Sequence, residues 1–204
     1  MADEKEKLLQ IARLLKDNKY VSDGVNKGSI SLKDKNGNII VSPSKVSYDE
    51  LSSDRLNVVD INGAPIEENA PFSRDMYFHL KIYKERPDVN AIIHTHSKYA
   101  TALALANKGI PFILYGMKFH TKGEVKVAPF SFPNTKECND SIIQYLGDRN
   151  AVLLGNHGLV CVGENIDECY QTVEFVESLS ESYIHALSIG KVEEIRNWRE
   201  VNYG

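Results

Sequence analysis

Two histidines, His94 and His96, stand two residues apart at the end of an apolar run that is typical of a buried strand. Successive side chains of a strand point to opposite sides, so these two imidazoles share one face and are near enough to share a metal ion. A second apolar run ends at His157, which has nearby glycines on both sides that let the chain turn sharply. Three neutral imidazoles bind zinc and leave a fourth position open for water or substrate, as in catalytic sites. The spacing therefore predicts a catalytic metal centre.

Histidines at strand ends also have an ordinary structural role, as hydrogen-bonded residues of a core or a surface. A His-x-His pair on a strand is compatible with packing as well as with metal binding, and the residue types alone leave both interpretations open. The other three histidines lack such a pairing. His79 and His185 lie in helical patterns and are interpreted as ordinary, whereas the role of His120, in a glycine-flanked loop, stays open.

Hydrophobic periodicity predicts the elements that must position these histidines. Apolar residues at helical spacing predict helices over about 4–17, 73–85, 99–107, 136–146 and 166–189. Ser73 is the predicted N-cap of the second helix, which Pro87 ends. Alternating or continuous apolar runs predict strands over 29–32, 39–41, 56–61, 92–96, 112–115, 125–128, 151–154 and 159–162.

Asn-Gly dipeptides mark two turns between predicted strands. Gly37 lies between the first two strands, and Gly63 follows the third, as in hairpins. The sheet in the N-terminal half is therefore predicted to be antiparallel. Because helices and strands are mixed without a strict βαβ alternation, the pattern favours an α+β layered fold over a doubly wound one.

Length and composition exclude several classes of protein. With 204 residues and no tract of low complexity, the chain is expected to form a single domain over residues 1–204. Its net charge of −4, with both signs interspersed, argues against nucleic acid and membrane as partners. A charged N-terminus and the lack of any apolar stretch near the roughly 20 residues of a membrane span predict a cytoplasmic protein. The three cysteines lack a Cys-x-x-Cys spacing, which argues against a disulfide framework.

Several short motifs, taken in order, resemble those of the class II aldolase/adducin family. They are Gly28-Ser29-Ile30-Ser31, Ser42-Pro43-Ser44, Ser73-Arg74-Asp75, His94-Thr95-His96 and His157-Gly158-Leu159. The resemblance runs from about Leu8 to Ile189. It implies a three-layer α/β/α sandwich around a mostly antiparallel sheet, and a divalent metal, usually zinc, on His94, His96 and His157. It also implies a phosphorylated keto sugar as substrate and a homotetramer.

The acid/base carboxylate of the family falls on Asp75. The motif Ser73-Arg74-Asp75 matches the Ser-Ser-Glu of the aldolases and the Ser-Ser-Asp of the epimerases. Asp75 is one methylene shorter than the glutamate of the aldolases, which reduces the reach of a base that acts on a carbon-bound proton. An aspartate in the first turn of a helix is also favoured by the helix dipole, so a purely structural role is the alternative.

The phosphate site of the family combines a glycine turn with hydroxyl and amide donors. In this chain it maps onto Gly28, Ser29, Ser44 and Ser73. Short hydroxyl side chains and helix-start N–H groups suit a dianion because they donate without steric bulk, although serines at turns are also common for local reasons. Lys45 and Arg74 replace residues that are small in the aldolases. They are expected either to add charge to the phosphate site or to face solvent.

Tyr115 distinguishes the aldolase hypothesis from the epimerase hypothesis. By this resemblance, it matches the tyrosine that serves in the aldolases as proton donor to the aldehyde oxygen. The epimerases place an aspartate four residues further on, where this chain has Phe119. A strand aromatic with a satisfied hydroxyl is the alternative for Tyr115. Near the C-terminus, Tyr203 resembles a tail tyrosine that reaches a neighbouring active site in the aldolases.

The resemblance thus implies a zinc-dependent aldehyde-lyase that cleaves a ketose 1-phosphate into dihydroxyacetone phosphate and a small aldehyde. Asp75 and Tyr115 are its predicted catalytic residues. A sugar phosphate 4-epimerase, a dehydratase and an oxo-acid phosphate decarboxylase share the metal site and stay open as alternatives. Adducin-like domains use the same fold as interaction modules, but the intact set of three histidines argues against that role.

Overall fold

The structure, a computed structural model, describes residues 1–22 and 28–200. The α-helices in these ranges are α1 (Ala2–Asp17), α2 (Met76–Glu85), α3 (Lys98–Leu105), α4 (Met117–His120), α5 (Lys136–Leu146) and α6 (Ile166–Ile189). The strands are β1 (Ser29–Lys33), β2 (Ile39–Val41), β3 (Asn57–Val59), β4 (Pro65–Glu67), β5 (Ala91–Thr95), β6 (Lys126–Ala128), β7 (Ala151–Leu154) and β8 (Gly158–Gly163). A short 3₁₀-helix covers Tyr48–Glu50.

The described strands form one eight-stranded sheet in the order β4-β3-β2-β1-β5-β8-β7-β6. Neighbouring strands are antiparallel except for β6 and β7, which are parallel. This mostly antiparallel sheet confirms the predicted α+β class. In the middle of the sheet, β5 pairs with β8 so that His94 lies opposite Val160 and Thr95 lies opposite Leu159.

Helices cover both faces of the sheet, which gives three layers. On one face, alternate strand residues such as Ile30 and Ile93 pack with α1, α3 and α6. On the other face, Ile92 and its counterparts pack with α2 and α5. Because strand side chains alternate, His94 shares the face of Ile92, and its ring meets the Phe78 ring of α2 edge-on at a centroid distance of 5.8 Å. The predicted α/β/α sandwich is confirmed.

The two Asn-Gly turns form as predicted. Gly37 has a φ of +85° and Gly63 a φ of +87°, a conformation that L side chains rarely adopt. In the first turn the Asp34 carboxylate accepts hydrogen bonds of 2.8 Å from the backbone N–H groups of Asn36 and Asn38. Local hydrogen bonding and the glycine conformation therefore fix the register of β1 against β2.

The longest described helix, α6, begins at a side-chain cap. Asn165 accepts a hydrogen bond of 2.9 Å from the backbone N–H of Glu168, which satisfies one of the N–H groups left open at a helix start. Its buried face packs against α1, α3 and β8. None of the described helices is both long and apolar enough to span a lipid bilayer.

The strand predicted over 112–115 is wrong. The chain pairs only at Ile110, which forms an isolated bridge with Val125, and Pro111 then removes the next N–H from any ladder. Downstream, the carbonyl of Leu114 accepts from the N–H of Met117, so the segment turns into α4. The carbonyl of Phe112 accepts instead from the N–H of Ile195, which follows α6 in the chain.

Ser73 is not the N-cap of α2. The helix begins at Met76, and the Ser73 hydroxyl accepts from the N–H of Asp75 at 3.2 Å, forming a turn ahead of the helix. Strand β4 and the 3₁₀-helix have no counterpart among the predicted elements. β4 is mostly exposed, so it lacks an apolar strand pattern. It also contains Pro65, and a proline in the sequence argues against a strand because proline is restricted to sheet edges.

Candidate metal centre

The three predicted histidine ligands lie together at one end of the β5–β8 pair. Their potential ligand nitrogens all lie within 4.8 Å of one another. His94 is fully buried at the end of β5, while His96 and His157 are partly exposed. His157 occupies the turn between β7 and β8, and the pairing of β8 with β5 brings that turn beside the end of β5.

The turn that carries His157 differs in detail from the sequence prediction. The left-handed conformation belongs to Asn156, whose φ is +56°, and not to the flanking glycines. Gly158 is required for a different reason: a Cβ there would lie 2.4 Å from the Thr95 carbonyl oxygen and 2.8 Å from Cδ2 of His96. The glycine therefore allows the backbone of β8 to pass directly beneath the ligand histidines.

The ring of His94 is oriented by the backbone. Its Nδ1 lies 2.9 Å from the carbonyl oxygen of Leu159, which can only accept, so Nδ1 carries the hydrogen. The other nitrogen, Nε2, is then unprotonated and lies 3.2 Å from Nε2 of His157. Two nitrogens that bind one tetrahedral zinc ion at about 2.05 Å lie about 3.3 Å apart, so this separation fits a shared metal ion.

Burial keeps these imidazoles in the form that binds metals. It lowers the pKa of His94 to about 3, and it also lowers the pKa of His157. Both rings are therefore neutral at pH 7 and offer lone pairs. The cluster can hold a divalent metal through three nitrogens, with the carbonyl of Leu159 holding the first ring in place.

Asp75 lies directly before α2 and faces the histidine cluster. Burial acts to raise the pKa of its carboxyl, but His94, His79 and a hydrogen bond from the Ser29 hydroxyl act in the opposite direction and leave that pKa below its usual value. The carboxyl is therefore ionised at neutral pH. The structure thus places the Asp75 carboxylate within electrostatic range of the predicted metal ligands.

The predicted phosphate-site residues fall into two groups. Gly28 and Ser29 lie against the end of β5: Gly28 has a φ of +81°, and a Cβ there would lie 2.3 Å from the His94 carbonyl oxygen. Ser44 lies against the segment before α2, because its backbone N–H and its hydroxyl both donate to the carbonyl of Pro71, at 2.8 and 3.2 Å. Ser73 follows on that same segment.

Both cationic substitutions, Lys45 and Arg74, have exposed side chains. Lys45 has a φ of +59°, which lies in the left-handed region that favours glycine. Both side chains border the loops that hold Ser44 and Ser73, where a phosphate dianion is predicted.

Tyr115 lies at the surface, in the turn before α4, and on a different element from the histidine cluster. It is 45% exposed, and its ring meets the ring of Phe119, 62% exposed, edge-on at 5.4 Å. The side chain is thus presented to solvent and does not lie in a strand. Tyr203 is outside the described residues.

The helical pattern around His79 does not reveal the polar contacts that its ring makes. The ring is fully buried, with Nε2 3.0 Å from the Ser29 hydroxyl and Nδ1 2.6 Å from the Ser31 hydroxyl. Two serines at alternate positions of an otherwise apolar strand were the available signal, since buried hydroxyls need polar partners. Cys138 lines a small cavity together with His157, and burial raises the pKa of its thiol.

Comparisons with known proteins agree with this geometry. A 5-deoxy-D-ribulose 1-phosphate aldolase of Bacillus thuringiensis serovar kurstaki is 33% identical over 177 residues, 85% of this chain and 83% of the relative. A 3-oxo-tetronate 4-phosphate decarboxylase of Haemophilus influenzae is 30% identical over 207 residues, 95% of this chain and 96% of the relative. The structure of an L-fuculose 1-phosphate aldolase superposes with a TM-score of 0.91 at 29% identity, covering 98% of this chain and 93% of that one.

The family model described as class II aldolase and adducin N-terminal domain matches residues 6–184. Class II aldolases are lyases that use a divalent metal, and three clustered histidines provide a site for one here. The chain therefore belongs to the class II aldolase and adducin N-terminal domain family.

Proposed function

We propose that the protein is a zinc-dependent aldolase that cleaves a ketose 1-phosphate, such as L-fuculose 1-phosphate, into dihydroxyacetone phosphate and a small aldehyde. The observation that carries this proposal is the pairing of a three-histidine cluster with an ionised carboxylate, Asp75. Three imidazole nitrogens suit zinc among the divalent metals. An interaction module without catalysis has no use for a half-buried carboxylate that interacts with such a cluster.

His94, His96 and His157 would hold the metal. When bound there, it supplies Lewis-acid chemistry that stabilises the negative charge developing on the substrate oxygens as the bond between C3 and C4 breaks. Asp75 would give the proton to C3 of the dihydroxyacetone phosphate half during cleavage and remove it in the reverse reaction. Its ionised state at neutral pH suits the second of these steps.

The phosphate group would be bound by the two loops that flank the cluster. The proposed set comprises Gly28, Ser29, Ser44, Lys45, Ser73 and Arg74. The Ser44 and Ser73 segments are joined by hydrogen bonds through Pro71, so they present their donors as one surface. Two exposed cations at that surface, Lys45 and Arg74, add charge that a dianion attracts. Binding energy gained there orients the reacting carbons.

Tyr115 would exchange the proton of the aldehyde oxygen, and its replacement tests the aldolase assignment. In the Tyr115→Phe variant we expect turnover of a ketose 1-phosphate to fall by about 10²–10⁴-fold, because the variant lacks a general acid. The metal content should not change, since the side chain lies on another element than the histidines. Steady-state cleavage rates and elemental analysis give both quantities.

Phe119→Leu serves as the matched control for Tyr115→Phe, because it alters the neighbouring ring without removing an ionisable group. Its turnover should stay close to that of the wild type. The assays should use a panel of ketose 1-phosphates and ketose 5-phosphates, followed for cleavage, epimerisation and dehydration. Interconversion of pentulose 5-phosphate epimers, with no dihydroxyacetone phosphate from any ketose 1-phosphate, would refute the aldolase proposal.

A decarboxylase of an oxo-acid phosphate is the second candidate. It is favoured by the relative named 3-oxo-tetronate 4-phosphate decarboxylase, which aligns over nearly its whole length. Such a reaction uses the same metal-stabilised negative charge but releases carbon dioxide and not an aldehyde. An epimerase is less favoured because Phe119 occupies the place of its second acid. Carbon dioxide release from a 3-oxo acid 4-phosphate distinguishes the decarboxylase from both.

We further propose a cytoplasmic homotetramer, in which a neighbouring chain completes the pocket. Large apolar side chains are exposed on α4, on the turn before it and on the loop after β6. They are Leu114, Tyr115, Phe119, Phe130 and Phe132, at 45–72% exposure. Exposed groups of this kind mark protein contact surfaces. Light scattering should give about four times the chain mass of 22.9 kDa; a monomer would contradict the proposal.

A further inference from the structure

A carboxylate from α6 caps the helix that follows His96. The two oxygens of Glu177 accept hydrogen bonds of 2.8 and 2.9 Å from the backbone N–H groups of Tyr99 and Ala100, in the first turn of α3. The first N–H groups of a helix have no partner within it, and a side chain at the N-cap usually binds one of them. Ser97 holds that place here, yet its hydroxyl makes no capping bond. The cap of α3 therefore comes from a residue 78 positions beyond Tyr99 in the chain.

The two capping bonds are shielded from water. Glu177 is 8% exposed, and Ala100 is fully buried where α3 packs on α6. A buried carboxylate is costly unless donors and positive charge compensate for the lost water. The N-terminus of α3 supplies both, because its free N–H groups form the positive end of the helix dipole. Loss of the carboxylate would leave at least the Ala100 N–H buried without an acceptor, which destabilises the helix start more than loss of an exposed cap would.

His96 depends on this helix start because it lies just beyond the strand. The ladder between β5 and β8 ends with Thr95 opposite Leu159, one residue before His96. The backbone N–H of His96 donates instead to the carbonyl of Tyr20, at 3.2 Å. On the other side, α3 begins at Lys98, two residues further on. The place of that helix start therefore sets where the main chain of His96 lies.

We infer that Glu177 is a positioning residue for His96: by binding the first turn of α3, it fixes the main chain that carries this metal ligand. The inference rests on the proposed function, in which His96 holds the metal together with two other histidines. A ligand that is held in place before the metal arrives binds it more tightly, because less conformational freedom is lost on binding. Glu177 acts through α3 and takes no part in the chemistry itself.

Removing the carboxylate should weaken metal binding. In Glu177→Gln the side chain keeps its size but has one acceptor oxygen, and its NH₂ group meets the second backbone N–H as a donor facing a donor. We expect the affinity for Co²⁺ to fall by about 10- to 100-fold, the loss typical of residues that orient metal ligands. Cobalt takes the same nitrogen ligands as zinc and absorbs visible light, so a titration of the metal-free full chain gives the affinity. Its absorption bands report the geometry of the ligands and should change in the variant.

Glu181→Gln is the matched control for Glu177→Gln. Glu181 lies one turn further along α6 and is half-buried, and its replacement removes the same charge while the two bonds to Glu177 stay in place. This variant should bind Co²⁺ with the affinity and the absorption bands of the wild type. Equal affinity and equal bands in Glu177→Gln and the wild type would overturn the inference. An equal loss in both variants would also overturn it, because the loss would then follow from the charge of α6 alone.

Amide hydrogen exchange in the wild type tests the inference without any variant. The N–H groups of Tyr99 and Ala100 should exchange slowly in the metal-free protein as well as in the zinc-loaded protein, since the carboxylate binds them in either state. Nuclear magnetic resonance of the backbone amides follows both positions. Protection that develops only when zinc is bound would mean that the metal itself orders the start of α3, and it would overturn the inference.

Failure of the proposed function would give a different pattern of results. No substrate enters the cobalt titration or the amide exchange measurement. A wild type that binds Co²⁺ but cleaves no ketose 1-phosphate would therefore refute the aldolase assignment, while weaker cobalt binding in Glu177→Gln than in Glu181→Gln would support the inference. A wild type that binds no divalent metal would refute the metal-dependent function and the positioning role of Glu177 together.

Discussion

Replacing His94 with alanine is expected to yield a protein that holds no divalent metal and has no measurable lyase activity. The ring is the only fully buried member of the histidine cluster, and the Leu159 carbonyl fixes its orientation. Without it, two partly exposed imidazoles remain, and two nitrogens do not hold zinc against buffer as three do. Elemental analysis after dialysis, together with a cleavage assay, measures both losses.

His185→Ala is the matched control for His94→Ala. His185 is exposed on α6 and has no place in the cluster, so its variant should keep the metal and the activity of the wild type. Full metal occupancy in His94→Ala would remove His94 from the site. Loss of metal from both variants would point instead to general destabilisation, which circular dichroism would detect.

Replacing Asp75 with asparagine is expected to abolish exchange of the C3 proton of dihydroxyacetone phosphate with solvent. That exchange needs only the metal, the phosphate site and the base, and an amide cannot accept the proton. We expect a loss of about 10²–10⁴-fold, the usual contribution of a general base. The metal should be retained. Proton NMR of dihydroxyacetone phosphate in heavy water follows the exchange directly.

The Asp75→Glu variant tests the role of Asp75 as the base by keeping the carboxylate, whereas Asp75→Asn removes it. It restores the longer carboxylate of the related aldolases and should keep measurable exchange, since the proton acceptor is still present. Exchange in Asp75→Asn at the rate of the wild type would mean that another group is the base. In that case the low pKa of Asp75 would reflect only its electrostatic contact with the histidines.

The histidine cluster could be predicted because each part of it has a local signature. His94 and His96 have strand periodicity, and His157 lies at a turn. The contact between these parts is not local: β5 and β8 are neighbours in the sheet, yet about 60 residues separate them in the chain. No single pattern indicates that pairing, and the resemblance to the family supplied it.

The difference between local patterns and non-local contacts also explains the predictions that were wrong. Periodicity indicated correctly that His79 lies on a helix, but its hydroxyl partners are on β1, and only the packing of α2 on the sheet brings them together. Residues 112–115 are apolar enough for a strand. Pro111 excludes them from the strand ladder, and so does the hydrogen bond that the Ile195 N–H donates to the Phe112 carbonyl. Ile195 lies beyond α6, so the local sequence does not reveal this bond.

The main-chain ladder between β5 and β8 fixes the three histidines, while Lys45, Arg74 and Tyr115 project from surface loops. Under the proposed function, substitutions in those loops would alter which sugar is recognised without loosening the strands beneath the histidine cluster. The histidine cluster and the surface loops can then change independently during evolution. A lineage can then keep one way of stabilising charge while its substrates change, and relatives near 30% identity are named as an aldolase and as a decarboxylase.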